Sequence, residues 1–297
     1  MGTALLLGDL PPQMLQSVSG IEFHEFIWQA GRPSSFILLT ATFLITVLLM
    51  YLFKFRGRYE STIVTGISKI VSVRPIDHIR NKKFAIISVG FFLATILAMS
   101  FRQVLGYYLG FIALIGMAAL VIVNELFAKK LESPKFGDVL KELDWRAVLF
   151  YIVLFVLVGG LDHVGVIQMM AHAMAPYYQQ NLILGVSLLY WVTGPIVAFV
   201  EHDAYILVFI HLIKDLSATA GISPWPSWWA LLWAGTLGSN LTIAGAPALF
   251  VAKNICEREN SCKVSLKEFL SYSGPFVFIS LVIQYVLTLI FWVLPFA

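Results

Sequence analysis

The stretch Pro195–Ile213, "PIVAFVEHDAYILVFIHLI", decides how this chain folds. It is apolar at both ends and sets Glu201, His202 and Asp203 side by side in its middle. A charge near the centre of a bilayer costs about 2.5–3.5 kcal/mol on insertion scales. Such groups survive at membrane depth where protein or a water-filled cavity surrounds them. Length narrows the choice. The apolar segment 181–214 holds 34 residues, about 51 Å as one helix against a hydrocarbon core of roughly 30 Å, too long for tilt to absorb. Gly194 and Pro195 weaken it, and "AYILVFIHLIK" after the cluster offers only 11 residues, half a bilayer. The expected structure over 181–214 is a re-entrant hairpin with its tip near Glu201.

The rest of the chain agrees with a membrane setting. It is 59% hydrophobic and 12% charged, where a soluble domain carries about 25% charged residues. The fold class is therefore an all-α polytopic membrane protein. Spans are expected at Ser35–Phe53, Phe84–Phe101, Val104–Phe127 and Pro275–Phe296. An apolar run from Arg146 is interrupted by Asp162, His163 and Gly165 and resumes in "VIQMMAHAM". Ala230–Ile255 carries "GTLGSNLTIAGAP" in its middle and reads as a helix broken at mid-membrane. Upstream, "IEFHEFIWQA" reads as a short amphipathic helix closed by Gly31 and Pro33, and "PWPSWW" as an aromatic anchor at the membrane interface.

Charge sets the expected topology. Seventeen of the 20 Lys and Arg residues fall in segments 54–83, 129–146 and 253–267. The positive-inside rule puts these three on the cytoplasmic side of the cell membrane. That is consistent if 181–214 enters and leaves on the outer face, and the C-terminus then lies outside. Cys256 and Cys262 sit in the third basic segment and are expected as free thiols.

The chain also resembles itself. "GTALLLGDLP" at 2–11 aligns with "SNLTIAGAP" at 239–247, Gly8 on Gly245, and "EFIWQAG" at 25–31 aligns with "EFLSYSG" at 268–274. The spans that follow run in opposite directions, the pattern of inverted-repeat transporters, whose sites lie at mid-membrane beside broken helices. The organisation that follows is a first-repeat tail at 1–53, a basic cytoplasmic linker at 54–83 and a second repeat at 84–297, with the hairpin 181–214 and the broken helix 230–255. By this symmetry the first repeat is expected to have an N-terminal half, in the same gene or a separate subunit.

At these residues the sequence resembles the ion transporter superfamily, in its arsenite permease, P-protein and sodium/proton antiporter group, often labelled citrate transporter-like. "GTALLLGDLPP" at 2–12 is similar to that group's "GGTATLIGDPPN"-like motif, and "GSNLTIAGAPAL" at 238–249 to its "GGNLTLIGASAN"-like motif. "LVGGLDHVG" at 157–165 and "EHDAYILVFIHLI" at 201–213 match its "LVGGLEHTG"-like stretch and "DNIP"-like hairpin tip. Glu201 and His202 replace the usual Asp-Asn, and Ala204 replaces the proline. The resemblance implies a substrate-site hairpin here and allows a homodimer.

The candidate ion or proton site is Glu201, His202 and Asp203, with Ser239, Asn240 and Thr242 of the broken helix. Adjacent acids resist joint ionisation, and histidine titrates near neutrality. Side-chain oxygens and unwound carbonyls suit Na⁺ or a polar solute. Gly238, Gly245, Gly2, Thr3, Gly8 and Asp9 would form the bare backbone of a two-sided substrate site, with Asp9 alternatively a helix cap. Asp162 and His163 are either a proton relay or a polar kink. The sequence carries no P-loop, nucleotide fingerprint, metal cluster or nucleophile elbow. The expected protein is not an enzyme, uses no cofactor beyond a coupling ion, H⁺ or Na⁺, and binds lipid rather than nucleic acid. Its expected activity is secondary transport of a small inorganic ion or oxyanion, arsenite or Na⁺, coupled to H⁺. Sodium-coupled dicarboxylate or anion symport and a non-transporting membrane subunit remain the alternatives.

Overall fold

The computed structural model describes residues 2–56, 79, 81–127, 136–143, 145–246, 248–249, 252–253, 255, 257 and 265–297. Most of the basic segments, Cys256 and Cys262 lie outside the described residues. Nearly all the rest is helix, as backbone in an apolar setting requires, because a helix satisfies its own N–H and C=O groups. Among the described residues, four helices are long and apolar enough to cross a membrane, Ser35–Phe55, Lys82–Ser100, Leu109–Leu126 and Leu266–Phe296. The chain is a helical polytopic membrane protein.

Two compact units emerge, one of Phe55–Tyr151 and one of Met1–Lys54 with Ile152–Ala297. In the first, α3 (Lys82–Ser100) starts at Asn81, whose side chain accepts the N–H groups of Lys83 and Phe84. It packs along α5 (Leu109–Leu126), with the short α4 (Arg102–Leu105) and a left-handed Gly106 between them. Gly116 of α5 lies directly against Thr95. Helix α6 (Phe136–Glu142) follows.

The second unit carries every candidate site residue. It begins with a 3-10 turn at Gly2–Ala4 and α1 (Leu10–Ser19). The amphipathic helix expected over "IEFHEFIWQA" is a correction. Phe23–Phe26 is a single 3-10 turn, and β1 (Trp28–Gln29) pairs with β2 (Arg32–Pro33) in a hairpin closed by Ala30 and Gly31, both at positive φ. A two-residue loop with both φ values positive matches the twist of such a ribbon. Helix α2 (Ser35–Met50) continues as a π-turn to Phe55. Helix α7 (Trp145–His163) and α8 (Val166–Gln180) meet at a 63° bend, where Gly165 takes a left-handed conformation.

Helix α9 (Leu182–Val197) ends just after Pro195, and α10 begins at His202. The break falls where the sequence places it. The second arm does not. Helix α10 runs 19 residues, His202–Ala220, about 28 Å, rather than the expected 11. Lys214 and Asp215 read as the end of an apolar run, yet the helix continues to a left-handed Gly221 cap. Both arms touch α8 and α11 (Trp225–Gly238), α9 packing mainly on α11 and α10 mainly on α8.

A second correction concerns "PWPSWW". Trp228 and Trp229 are buried inside the unit, Trp229 completely, with Trp233 and Trp292. Trp229 stacks on Trp233 and meets Phe26 edge-on, while its indole N–H donates to Gln29 Oε1 at 3.0 Å. Only Trp225 of the three retains partial exposure. Helix α12 (Leu266–Thr288) closes the unit against α2 and α11, and α1 lies on α10. "EFLSYSG" is helical in α12 whereas "EFIWQAG" forms the turn and hairpin, so these two aligned segments differ in local structure.

Candidate functional site

Four chain segments build the site, the tip between α9 and α10, the two glycine-bearing loops at 2–9 and 239–246, and the end of α11. At the tip, Glu201 is the N-cap of α10, and its Oε2 accepts the Ala204 N–H at 2.8 Å. Asp203 follows in the first turn. Both acids suit the positive end of the helix. His202 stands between them and is 6% exposed, Asp203 3%. The imidazole is flanked on both nitrogens. Nδ1 lies 3.5 Å from Glu201 Oε1, and Nε2 lies 3.2 Å from Asp203 Oδ1 and 4.0 Å from Asp9 Oδ2.

Asp9 reaches this point because the first loop folds over itself. A methyl on Gly2 would press into the Asp9 carboxylate, and one on Gly8 would strike the Gly2 carbonyl. Asp9 Oδ1 accepts the Leu10 N–H at 2.9 Å and caps α1, leaving Oδ2 toward His202. Asp9 is thus a helix cap whose second carboxylate oxygen lies near His202. Thr3 is buried, its carbonyl accepts from Ser35 Oγ at 2.7 Å, and Ser35 in turn accepts the Trp233 indole N–H at 2.9 Å.

The second loop touches the other side of the tip. Thr242 Oγ1 donates to the Ala198 carbonyl, and Gly238 packs backbone to backbone on Gly194. A methyl on Gly245 would strike the carbonyls of Ser239 and Val197. In each loop, therefore, the aligned glycine lies on the carbonyl six residues before it, Gly8 on Gly2 and Gly245 on Ser239. Ser239 Oγ and Asn240 Nδ2 donate to the Thr236 carbonyl, at 3.0 and 2.7 Å, rather than to the tip. Asp162 Oδ1 accepts from Gln168 Nε2 at 2.7 Å across the bend, and His163 is exposed.

The ligand atoms of Asp9, His202 and Asp203 lie within 4.8 Å of one another, a spacing that could hold a cation between two carboxylates and an imidazole. The sequence reading assigns no metal, and positions 9 and 202 are too far apart in the chain for spacing to suggest one. Sequence reasoning also passed over Thr42, Gln284 and Ser280, polar residues buried within α2 and α12. Their signal was available, since polar side chains inside apolar spans are costly and rarely idle.

The sequence profile described as citrate transporter matches residues 1–234. The chain belongs to the citrate transporter family. An uncharacterized transporter of Mycobacterium bovis is 26% identical over 273 residues, covering 90% of this chain and 59% of the relative. An uncharacterized transporter of Synechocystis is 23% identical over 304 residues, covering 95% of this chain and 63% of the relative. The human P protein is 26% identical over 199 residues, covering 65% of this chain and 23% of that protein. This family member thus spans about three-fifths of the length of the bacterial relatives it matches. Within it, the tip cluster draws on both ends of the matched region, Asp9 near its start and Glu201–Asp203 toward its end.

Proposed function

We propose that the protein is a secondary active transporter that moves a small inorganic ion or oxyanion, arsenite or Na⁺, by alternating access coupled to H⁺. The observation that carries the reading is the His202 imidazole held among the carboxylates of Asp9, Glu201 and Asp203 at a helix break. With the imidazole neutral and all three acids ionised, the cluster carries three negative charges, and a protonated imidazole reduces that by one. Protons and a substrate cation then compete for the same oxygens, which is the chemical basis of exchange. The break on each side, at 198–201 and at 239–246, provides the unwound backbone such sites use.

A second reading, symport of a carboxylate with a cation, draws on the family's description as a citrate transporter. Like charges crowded at the site repel a bare carboxylate anion. The close approach of Asp9, His202 and Asp203 supports this reading only where a cation bridges anion and protein. Flux assays separate the two. Proteoliposomes containing the full chain are loaded with a pH-sensitive dye and challenged in turn with Na⁺, arsenite, citrate and dicarboxylates. Proton movement on addition of Na⁺ or arsenite supports the leading reading. Proton or Na⁺ movement with citrate or dicarboxylates alone selects the second. A protein that moves none of them is a non-transporting subunit, and both readings fail.

A further inference from the structure

A second polar site lies away from the tip, between α2, α11 and α12. A cavity of about 190 Å³ is lined there by Leu39, Thr42, Phe43, Thr236, Leu237, Asn240, Phe276 and Ser280. Four of these residues are polar and none is charged. What they offer a ligand follows from where their protons go. Thr42 Oγ1 donates to Gln284 Oε1 at 2.6 Å, Thr236 Oγ1 to the Leu232 carbonyl at 2.8 Å, and Ser280 Oγ to the Val277 carbonyl at 3.0 Å. Asn240 Nδ2 donates to the Thr236 carbonyl at 2.7 Å. Each hydroxyl has one proton and two lone pairs, and the asparagine amide keeps its carbonyl oxygen. With those protons committed within the protein, what these side chains can still offer a ligand is oxygen lone pairs.

Four oxygens with lone pairs to spare favour a cation over an anion, and the unpartnered donor beside Thr42, Gln284 Nε2, belongs to a residue outside the lining. Neutral oxygens without a carboxylate favour one charge over two, because a divalent ion leaving water needs anionic ligands to offset its dehydration. The setting adds a field of the same sign. Thr236, Leu237 and Asn240 belong to or follow the last turn of α11, and a helix C-terminus carries partial negative charge. Half-helix C-terminal ends and neutral oxygens coordinate Na⁺ in transporters built from broken helices. The cavity is ample for an ion that keeps part of its water shell.

We infer that this cavity between α2, α11 and α12 binds a monovalent alkali cation through Thr42, Thr236, Asn240 and Ser280, separately from the acidic tip. Because Asn240 lies in the loop that also carries Thr242, the ion would brace the second loop where it meets Ala198. The site makes Na⁺ a structural or coupling ion of its own, whatever the tip carries.

The test is binding of ²²Na⁺ to the full chain in nanodiscs, in choline buffer, with Li⁺ and K⁺ as competitors. The expected result is saturable binding that weakens at least tenfold in the double variant Thr236→Val with Ser280→Ala. Those hydroxyls bond only to their own helices, so the fold should tolerate their loss. Thr236→Ser keeps the oxygen and should keep binding, and in Asp203→Asn, which weakens any Na⁺ held at the tip, the saturable component that the double variant removes should persist. Asn240→Leu removes a third oxygen and is read the same way if the double variant does not fold. Absence of saturable binding in the parent protein, or full affinity in the double variant, overturns the inference. So does binding that Asp203→Asn abolishes, because the ion would then belong to the tip.

Discussion

Gly238→Ala tests the contact that holds the broken helix against the tip. A Cβ at this position would lie 2.7 Å from Gly194 Cα and 2.8 Å from its carbonyl carbon, with the carbonyl oxygen closer still. Every one of these atoms is backbone, so no side chain can swing away. Ordinary contact begins near 3.4 Å, so α9 and α11 would have to part by about 0.7 Å to clear the Gly194 Cα and by more to clear its carbonyl oxygen. Forcing extra volume into a packed interface costs about 1–3 kcal/mol, and here the displacement also bears on the Thr242–Ala198 hydrogen bond at the tip. Two neighbours calibrate the result. A Cβ on Gly194 meets only the two methyls of Leu281, at 3.2 and 3.6 Å, the end of a flexible side chain, and a Cβ on Gly160 meets nothing within 4 Å. Thermal unfolding in detergent should rank the three variants Gly160→Ala, near or above the parent; Gly194→Ala, mildly lower; Gly238→Ala, lowest. Transport by Gly238→Ala should fall further than its folded fraction. A Gly238→Ala protein as stable and active as Gly160→Ala would refute the close backbone contact.

Asp9 separates structure from site in one position. Asp9→Asn keeps an oxygen for the Leu10 N–H and should unfold within about 0.5 kcal/mol of the parent, whereas Asp9→Ala also loses the cap, at about 1 kcal/mol; both should depress flux in proteoliposomes. Trp229→Ala removes a fully buried ring that stacks on Trp233 and donates to Gln29, and should cost about 3–5 kcal/mol, measured by thermal or chemical unfolding. Cys256 and Cys262 report topology, since a membrane-impermeant maleimide should label them only after cells are permeabilised if segment 253–267 is cytoplasmic.

Much of this was legible in the sequence where the physics is local. Composition and run length give the helical membrane class, and the apolar runs before Phe101 and Phe127 become α3 and α5 within a few residues. The break at Glu201 follows from three titratable groups inside an otherwise apolar run, and the break after Gly238 from a run of Gly, Ser and Asn. The bend at Gly165 follows from the glycine that takes positive φ there. Non-local facts were hidden. Nothing near Asp9 says that its second oxygen faces a histidine almost two hundred positions later. "PWPSWW" satisfies the rule for interfacial aromatics, but that rule assumes lipid on one side, and in this unit Phe26, Gln29 and Trp292 occupy that side. Lys214 and Asp215 end the apolar run and so hide the length of α10, whose continuation depends on the cap at Gly221 rather than on hydropathy. The hairpin at 28–33 leaves no such signal, because positive φ at Ala30 is not encoded by residue type.

The central claim is that the tip cluster carries the coupling proton. Its most direct measurement is the pH dependence of substrate-driven H⁺ flux in proteoliposomes, parent against Glu201→Gln. Glutamine keeps an oxygen for the Ala204 N–H, so the α10 cap survives while the charge 3.5 Å from His202 is lost. The parent is expected to couple substrate to H⁺ across neutral pH, and Glu201→Gln to lose or displace that dependence. A Glu201→Gln protein that moves every substrate with the parent's pH profile would contradict it.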